Sequence, residues 1–241
     1  MPKFVELWVY LSSTPLFGLT ATLVVYVLAQ ALYARLRQAA WANPVLWSVV
    51  TLASLLTLTG VDYPTFFSGA QFIHFLLGPA VVALAWPLWE RRTALRQHWV
   101  ALLAAAVAGG AAASGSALLL GWGVGLPHDV VLSLAPKSVT APVAMGIADK
   151  IGGVPALAAV FAVVTGMVGA LSAKALFDLL KLPKSAGGWM IRGYALGTAA
   201  HGIGAARAMQ VNADAGAFAG LALGVQVVLA SLLIPLVFRL F

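Results

Sequence analysis

"SLAPKSVTAPVAM", Ser133 to Met145, sets one lysine between two prolines inside a chain that is otherwise overwhelmingly apolar. Proline removes an amide donor and disfavours helix at the residue before it, so Pro136 and Pro142 interrupt a helix around Lys137, Ser138 and Thr140. Thr140 stands where an N-cap belongs, ahead of "APVAMGIADK", and starts a new half-helix whose amides point at the break. Such an end carries partial positive charge and Lys137 adds a full one, a combination that suits a carboxylate. The alternative is a lysine that snorkels to a headgroup or sits in an ordinary loop. A lysine at mid-membrane costs roughly 2.5–3.5 kcal/mol, and the flanking prolines and hydroxyls favour a functional role.

The surroundings of this stretch are membrane-like. Of 241 residues, 62% are hydrophobic and 9% charged, and the mean hydropathy is +0.98. Soluble domains carry roughly 25% charged residues. Apolar runs recur along the whole length, approximately at 15–34, 44–60, 66–89, 99–122, 128–148, 153–180, 193–210 and 216–240. They leave no room for a soluble second domain, so residues 1–241 read as one membrane-embedded, transporter-like unit. All are expected to be helical, because an open sheet cannot satisfy its backbone in lipid. The expected class is an all-α polytopic membrane protein, a multi-span helical bundle with broken or re-entrant helices.

The net charge of +7 is not a nucleic-acid signal, since the basic residues form short clusters between apolar runs. There is no cysteine, which excludes disulfides and thiolate chemistry. The first thirty residues resemble a signal peptide, but Arg35 and Arg37 follow the apolar stretch at once and favour a retained span.

The basic clusters test the topology. They are "ARLRQ" (34–38), "ERRTALRQH" (90–98), "KLPKSAGGWMIR" (181–192) and Arg239. If 128–148 simply crossed, Lys181, Lys184 and Arg192 would share a side with the charge-poor loops "GVDYP" and "GWGVGLPHD", against the positive-inside bias. If it enters and leaves on one side, every basic cluster is cytoplasmic, with the N-terminus outside and the C-terminus inside. A weak echo joins "LLGPAVVALAWP" (76–87), broken at Pro79, to "LGTAAHGIGAAR" (196–207). Interrupted segments in both halves point to an inverted-repeat transporter.

"GTAAHGIGAARAMQ" (197–210) is the second constellation. Gly202 and Gly204 permit unusual backbone and close approach. Thr198, His201 and Arg207 bring a hydroxyl, an imidazole and a guanidinium into one short polar break, where a carboxylate and a proton are both manageable. Arg207 at a helix end and His201 on a carbonyl are the alternatives. Lys174 and Asp178 are expected to pair or snorkel; Asp62, Asp129 and Asp214 fall in loops. Gly216, Gly220 and Gly224 make a small-residue face suited to close packing and a homodimer. No HExxH, GxSxG or nucleotide loop is present, so neither an enzyme, a metal or cofactor site, nor a primary pump is expected.

"LLGPAVVALAWPLWERR", "SLAPKSVTAPVAMGIADKIGG", "VFAVVTGMVGA", "GTAAHGIGAARAMQ" and "GAFAGLALG" together resemble the LrgB/CidB family of bacterial inner-membrane proteins, related to the membrane domain of the plastid glycolate/glycerate transporter. The resemblance implies one of two activities. One is export of small carboxylates such as pyruvate, glycolate or glycerate, with a coupled proton or sodium ion. The other is regulation of murein hydrolases and lysis beside a small LrgA/CidA-like holin partner. It also implies two inverted repeats as in bile-acid-symporter-like carriers, with crossed broken helices and an elevator-type motion. Lys137, Ser138, Thr140, His201, Gly202, Gly204 and Arg207 stand in the matching motifs and become the expected substrate site, with Thr198 beside them.

Overall fold

The computed structural model describes residues 15–36, 39–76 and 92–239, with Pro79, Trp86 and Trp89 singly. The break expected around Pro79 lies among neighbours outside the described residues. Packing divides the chain into two compact units, Met1–Ala83 and Leu84–Phe241. Among the described residues every regular element is helical, and four helices are long and apolar enough to cross a membrane: Leu16–Arg35, Arg96–Gly123, Pro155–Leu179 and Ala213–Arg239.

In the first unit α1 (Pro15–Arg35) packs on α2 (Pro44–Thr59) and α3 (Tyr63–Phe75). Asn43 caps α2 by accepting hydrogen bonds from the Val45 and Leu46 amides, and Gly60 ends it in the left-handed conformation that glycine adopts without penalty. Gly18 is where α1 meets α3: a methyl there would stand 2.0 Å from the Phe66 carbonyl oxygen.

The second unit contains α4 (Arg92–Gly123), α5 (His128–Leu134), α6 (Ala141–Ile151), α7 (Pro155–Leu179), α8 (Ala186–Val211) and α9 (Ala213–Arg239). The stretch that opens the sequence argument is indeed broken. α5 stops at the turn 135–140 and α6 starts after it, with Thr140 at its N-cap and Pro142 in its first turn. The whole stretch folds back. α5 leaves the end of α4, where a methyl on Gly121 would lie 3.1 Å from Leu134 Cδ1. Its turn reaches in as far as Ser114, whose hydroxyl donates to the Ala135 carbonyl at 2.7 Å, about 13 Å from the end of α4 at 1.5 Å per residue. α6 then returns, packing Ala144, Ile147 and Ala148 against Ala158 and Ala162 of α7. The start of α7 lies beside α5, where the Val154 amide donates to Ser133 Oγ at 2.7 Å. Residues 128–151 are therefore a re-entrant hairpin, as the charge pattern requires.

A second hairpin comes from the other end, and here the expectation needs correcting. The arm 186–200 runs antiparallel to α7 and parallel to α9: methyls on Gly193 and Gly197 would meet the Ala215 and Ala219 carbonyl oxygens at 2.1 Å each. At His201 the backbone turns over, with φ 40 and ψ −132. A methyl on Gly204 would stand 2.6 Å from the carbonyl oxygen of Leu196, whereas an uninterrupted helix would separate residues eight apart by about 12 Å. Residues 202–211 thus lie back along the incoming arm and do not complete the span expected over 193–210. α9 then crosses the unit, from Ala215 beside Gly193 to Ala230 in the cluster with Ala158. Its end at Arg239 is opposite to the end that carries Arg92, Lys181, Lys184 and Arg192. Arg239 and those clusters do not share a side, so the expected pairing of a cytoplasmic C-terminus with cytoplasmic basic loops fails.

The basic end of this unit is clasped by a residue placed only in a loop cluster by the sequence. Arg192 is buried, pairs with Asp178 at 3.4 Å, donates to the Leu182 carbonyl and lies over the Phe177 and Trp189 rings. Asp178 is therefore the partner of Arg192, where Lys174 was expected. Lys181 takes a positive φ of 53 and the Leu182 amide reaches the Phe177 carbonyl, a helix end of the Schellman type.

Candidate functional site

The two hairpin turns approach α7 from opposite ends. Val139 of the first belongs to the packed cluster that includes Ala162. His201 of the second hydrogen-bonds the Ala162 carbonyl through Nε2 at 2.8 Å. A carbonyl only accepts, so Nε2 carries the proton and Nδ1 is left as the nitrogen that titrates.

In the first turn, Pro136 is fully buried and Ser138 and Val139 nearly so; Lys137 between them is half-buried. Proline at 136 makes this irregular backbone unavoidable, and burial of its neighbours fixes the place at which the lysine emerges. Thr140 occupies the N-cap with extended backbone, but its hydroxyl makes no capping bond. The Ser138 hydroxyl is buried without a hydrogen-bond partner, a condition worth about 1–3 kcal/mol. An ammonium, an unpaired hydroxyl and an uncapped helix start form a donor-rich surface fit for an anion.

In the second turn the unusual conformation falls on His201 itself. Gly202 does not have a positive φ and no atom lies within 4 Å of the place its methyl would take, so the freedom expected of it is unused. Gly204 does serve close approach, of one arm to the other. The histidine seats in a notch on α7 made by missing side chains: methyls on Gly166 and Gly169 would lie 2.8 Å from His201 Cε1 and 2.6 Å from Ala200 Cβ. Backbone at φ 40 and ψ −132 suits only glycine and costs another residue about 1–3 kcal/mol. The strained conformation is thus held by a histidine, next to a glycine that does not adopt it.

Thr198 and His201, expected in one polar break, face different helices, α4 and α7. Thr198 is buried with its hydroxyl unpartnered, yet it faces α4, its Cγ2 3.0 Å from a methyl position on Gly109. It lines a cavity of about 410 Å³ between α4 and the incoming arm, with Tyr194 and His98. Arg207 is buried on the returning arm, about 9 Å of helix beyond His201. Gly216 is buried against Met209 of the same chain and Gly220 is buried too, while Gly224 is exposed; two thirds of the expected dimer face is thus used within the subunit. Among the described residues no group of three metal-ligating side chains occurs. The sequence reading missed Gly166 and Gly169, although both stand in the quoted "VFAVVTGMVGA", because a glycine's neighbour across space has no local signature.

Known proteins with related sequences cover nearly all of this architecture. The chain is 34% identical over 198 residues to the uncharacterized protein YxaC of Bacillus subtilis, covering 82% of this chain and 84% of that one. It is 32% identical over 199 residues to an uncharacterized protein of Haemophilus influenzae, covering 82% and 84%. With the holin-like protein CidB of Staphylococcus aureus it shares 27% identity over 221 residues, covering 91% and 94%. No solved structure matches the chain. The profile described as the LrgB-like family matches residues 22–240, and the chain, a helical membrane protein, belongs to that family.

Proposed function

We propose that this protein is a secondary carrier of small monocarboxylates of the glycolate, glycerate and pyruvate type, with its substrate held between the two hairpin turns. The observation that carries this reading is the strained His201 at one tip, bonded to the Ala162 carbonyl of α7, a residue of the packed cluster that also holds Val139 of the other tip. Interrupted helices that meet inside a bundle offer polar backbone and side chains without opening the spans to lipid. Lys137 supplies the counter-charge for the carboxylate, and Ser138 and Thr140 supply hydroxyls to its oxygens or to a substrate hydroxyl. His201 Nδ1 takes up or releases a proton that accompanies the acid. The hairpins enter from opposite ends, so loosening one and then the other would expose the site to alternate sides, with no chemical step in the substrate. Positive-inside bias places the end with Arg92, Lys181 and Lys184 in the cytoplasm of the inner membrane, and Arg239 outside. Counterflow of labelled pyruvate, glycolate and glycerate in proteoliposomes tests the reading: saturable exchange supports it, and its absence with correctly inserted protein refutes it.

The holin-like name of the Staphylococcus aureus relatives favours a second reading, a non-transporting regulator of wall hydrolysis and lysis acting with a small holin-like partner. Such a role does not require Lys137 or His201. Retention of lysis control after both are replaced, together with no counterflow, would select it.

A further inference from the structure

The second hairpin is held to α7 at two levels of very different strength. At its root the buried Arg192 pairs with Asp178 at 3.4 Å, donates to the Leu182 carbonyl and lies over the Phe177 and Trp189 rings, 5.6 and 5.4 Å from their centroids. Pulling a buried guanidinium away from such partners strands its charge. Methyls on Gly193 and Gly197 would stand 2.1 Å from the Ala215 and Ala219 carbonyl oxygens, so the arm has no slack against α9 as far as residue 197. At the tip, about 13 Å further along the arm than Arg192, the tie to α7 is the bond from His201 Nε2 to the Ala162 carbonyl at 2.8 Å.

Three features make the tip easy to release. Ala162 lies inside α7, where its carbonyl keeps its helical partner when the imidazole leaves, so no orphaned acceptor remains. The backbone at His201, with φ 40 and ψ −132, is strained for any residue but glycine, and withdrawal lets it relax, which offsets the lost bond. The seat is a notch of missing side chains at Gly166 and Gly169, with no interlocking group around the ring. On the returning side, Gly204 is again pressed on the arm, at the Leu196 carbonyl. The segment left free to move is 198–203.

We propose that residues 198–203 are a swinging tip that opens and closes the site on the side of the basic clusters, while the arm below them stays fixed at the Arg192 root. A carrier needs barriers whose closed and open states differ little in free energy, and strain set against one hydrogen bond supplies that balance. The purpose of the motion rests on the carrier reading; the motion itself does not.

The chain has no cysteine, so the full-length protein in nanodiscs takes spin labels at chosen pairs for pulsed distance measurement. The tip pair is Gly202, where an added methyl meets no atom within 4 Å, with the exposed Val164; the root pair is Ile191 with Leu179, both exposed. Two distances are expected for the tip pair and one for the root pair. Gly166→Ala, whose methyl would lie 2.8 Å from the imidazole, should raise the ratio of long to short tip distances at least about fivefold, the effect of mild overpacking, and leave the root pair unchanged. A single tip distance in the parent, or a root pair that splits together with the tip pair, would overturn the proposal, and so would an unchanged ratio in Gly166→Ala; should that variant not fold, the parent distributions decide. Two tip distances in a protein without counterflow would keep the swinging tip and refute the carried acid, whereas counterflow with a single tip distance would refute the tip alone.

Discussion

Two glycine-to-alanine substitutions, opposite in expected sign, probe the second hairpin most sharply. Alanine at Gly166 would place a methyl 2.8 Å from His201 Cε1, 2.9 Å from Nε2 and 2.9 Å from Ile203 Cδ1. Carbon contacts settle at about 3.5–4.0 Å, so the tip must withdraw by about 0.7 Å. That lengthens the 2.8 Å bond from His201 to the Ala162 carbonyl to about 3.5 Å, where it no longer counts as one. Overpacking costs about 1–3 kcal/mol and the lost bond about 1 kcal/mol; the better helix propensity of alanine returns about 1 kcal/mol. The net is a loss of about 1–3 kcal/mol. Alanine at Gly202 meets no atom within 4 Å and should be neutral or stabilising by up to about 1 kcal/mol. Thermal unfolding in nanodiscs, followed by tryptophan fluorescence, reads both. If Gly166→Ala is as stable as the parent, or the two variants shift together, the seating of His201 on α7 is wrong.

His201→Gly relieves about 1–3 kcal/mol of backbone strain and gives up a bond of about 1 kcal/mol, so the variant should unfold at or above the parent temperature while losing uptake; retained uptake would free the imidazole from any role. For topology, cysteines at Asp129, Gly152 and Arg239 should react with an impermeant reagent from one side and a cysteine at Lys184 from the other, and labelling of Arg239 with Lys184 would contradict the second hairpin. Hydrogen bonds from the Thr65 hydroxyl and amide hold the Asp62 carboxyl below its ordinary range, so the α3 start it supports is intact above the ordinary carboxylate pKa and loosens as pH falls below it; Asp62→Ala should remove that pH dependence in hydrogen exchange of the Thr65 amide, and an unchanged acid response would refute the assignment.

The first hairpin was legible because its cause is local: Pro136 and Pro142 break a helix wherever they stand, and the basic clusters then decide that the broken stretch returns. The second is legible as a break, in "LGTAAHGIGAAR", but not as a reversal, since nothing in its sequence forbids helix at His201 itself. Of Gly202 and Gly204, the glycines that mark the break, only Gly204 is used, at the contact between arms. Counting 193–210 as a span then carried Arg239 to the wrong end. Arg207 is close to His201 in sequence, but the reversal at His201 puts it on the returning arm. Asp178 pairs with Arg192 across a loop, a contact that helical spacing to Lys174 cannot anticipate.

If Lys137 is the cationic partner of a carried carboxylate, removing its charge stops transport, and counterflow of labelled pyruvate by Lys137→Met in proteoliposomes reads that loss. Methionine keeps much of the side-chain length without the charge. Saturable counterflow is expected in the parent, none in Lys137→Met at equal insertion and stability, and partial activity in Lys137→Arg, whose planar fork replaces a compact ammonium poorly. Parent-level counterflow in Lys137→Met would contradict it.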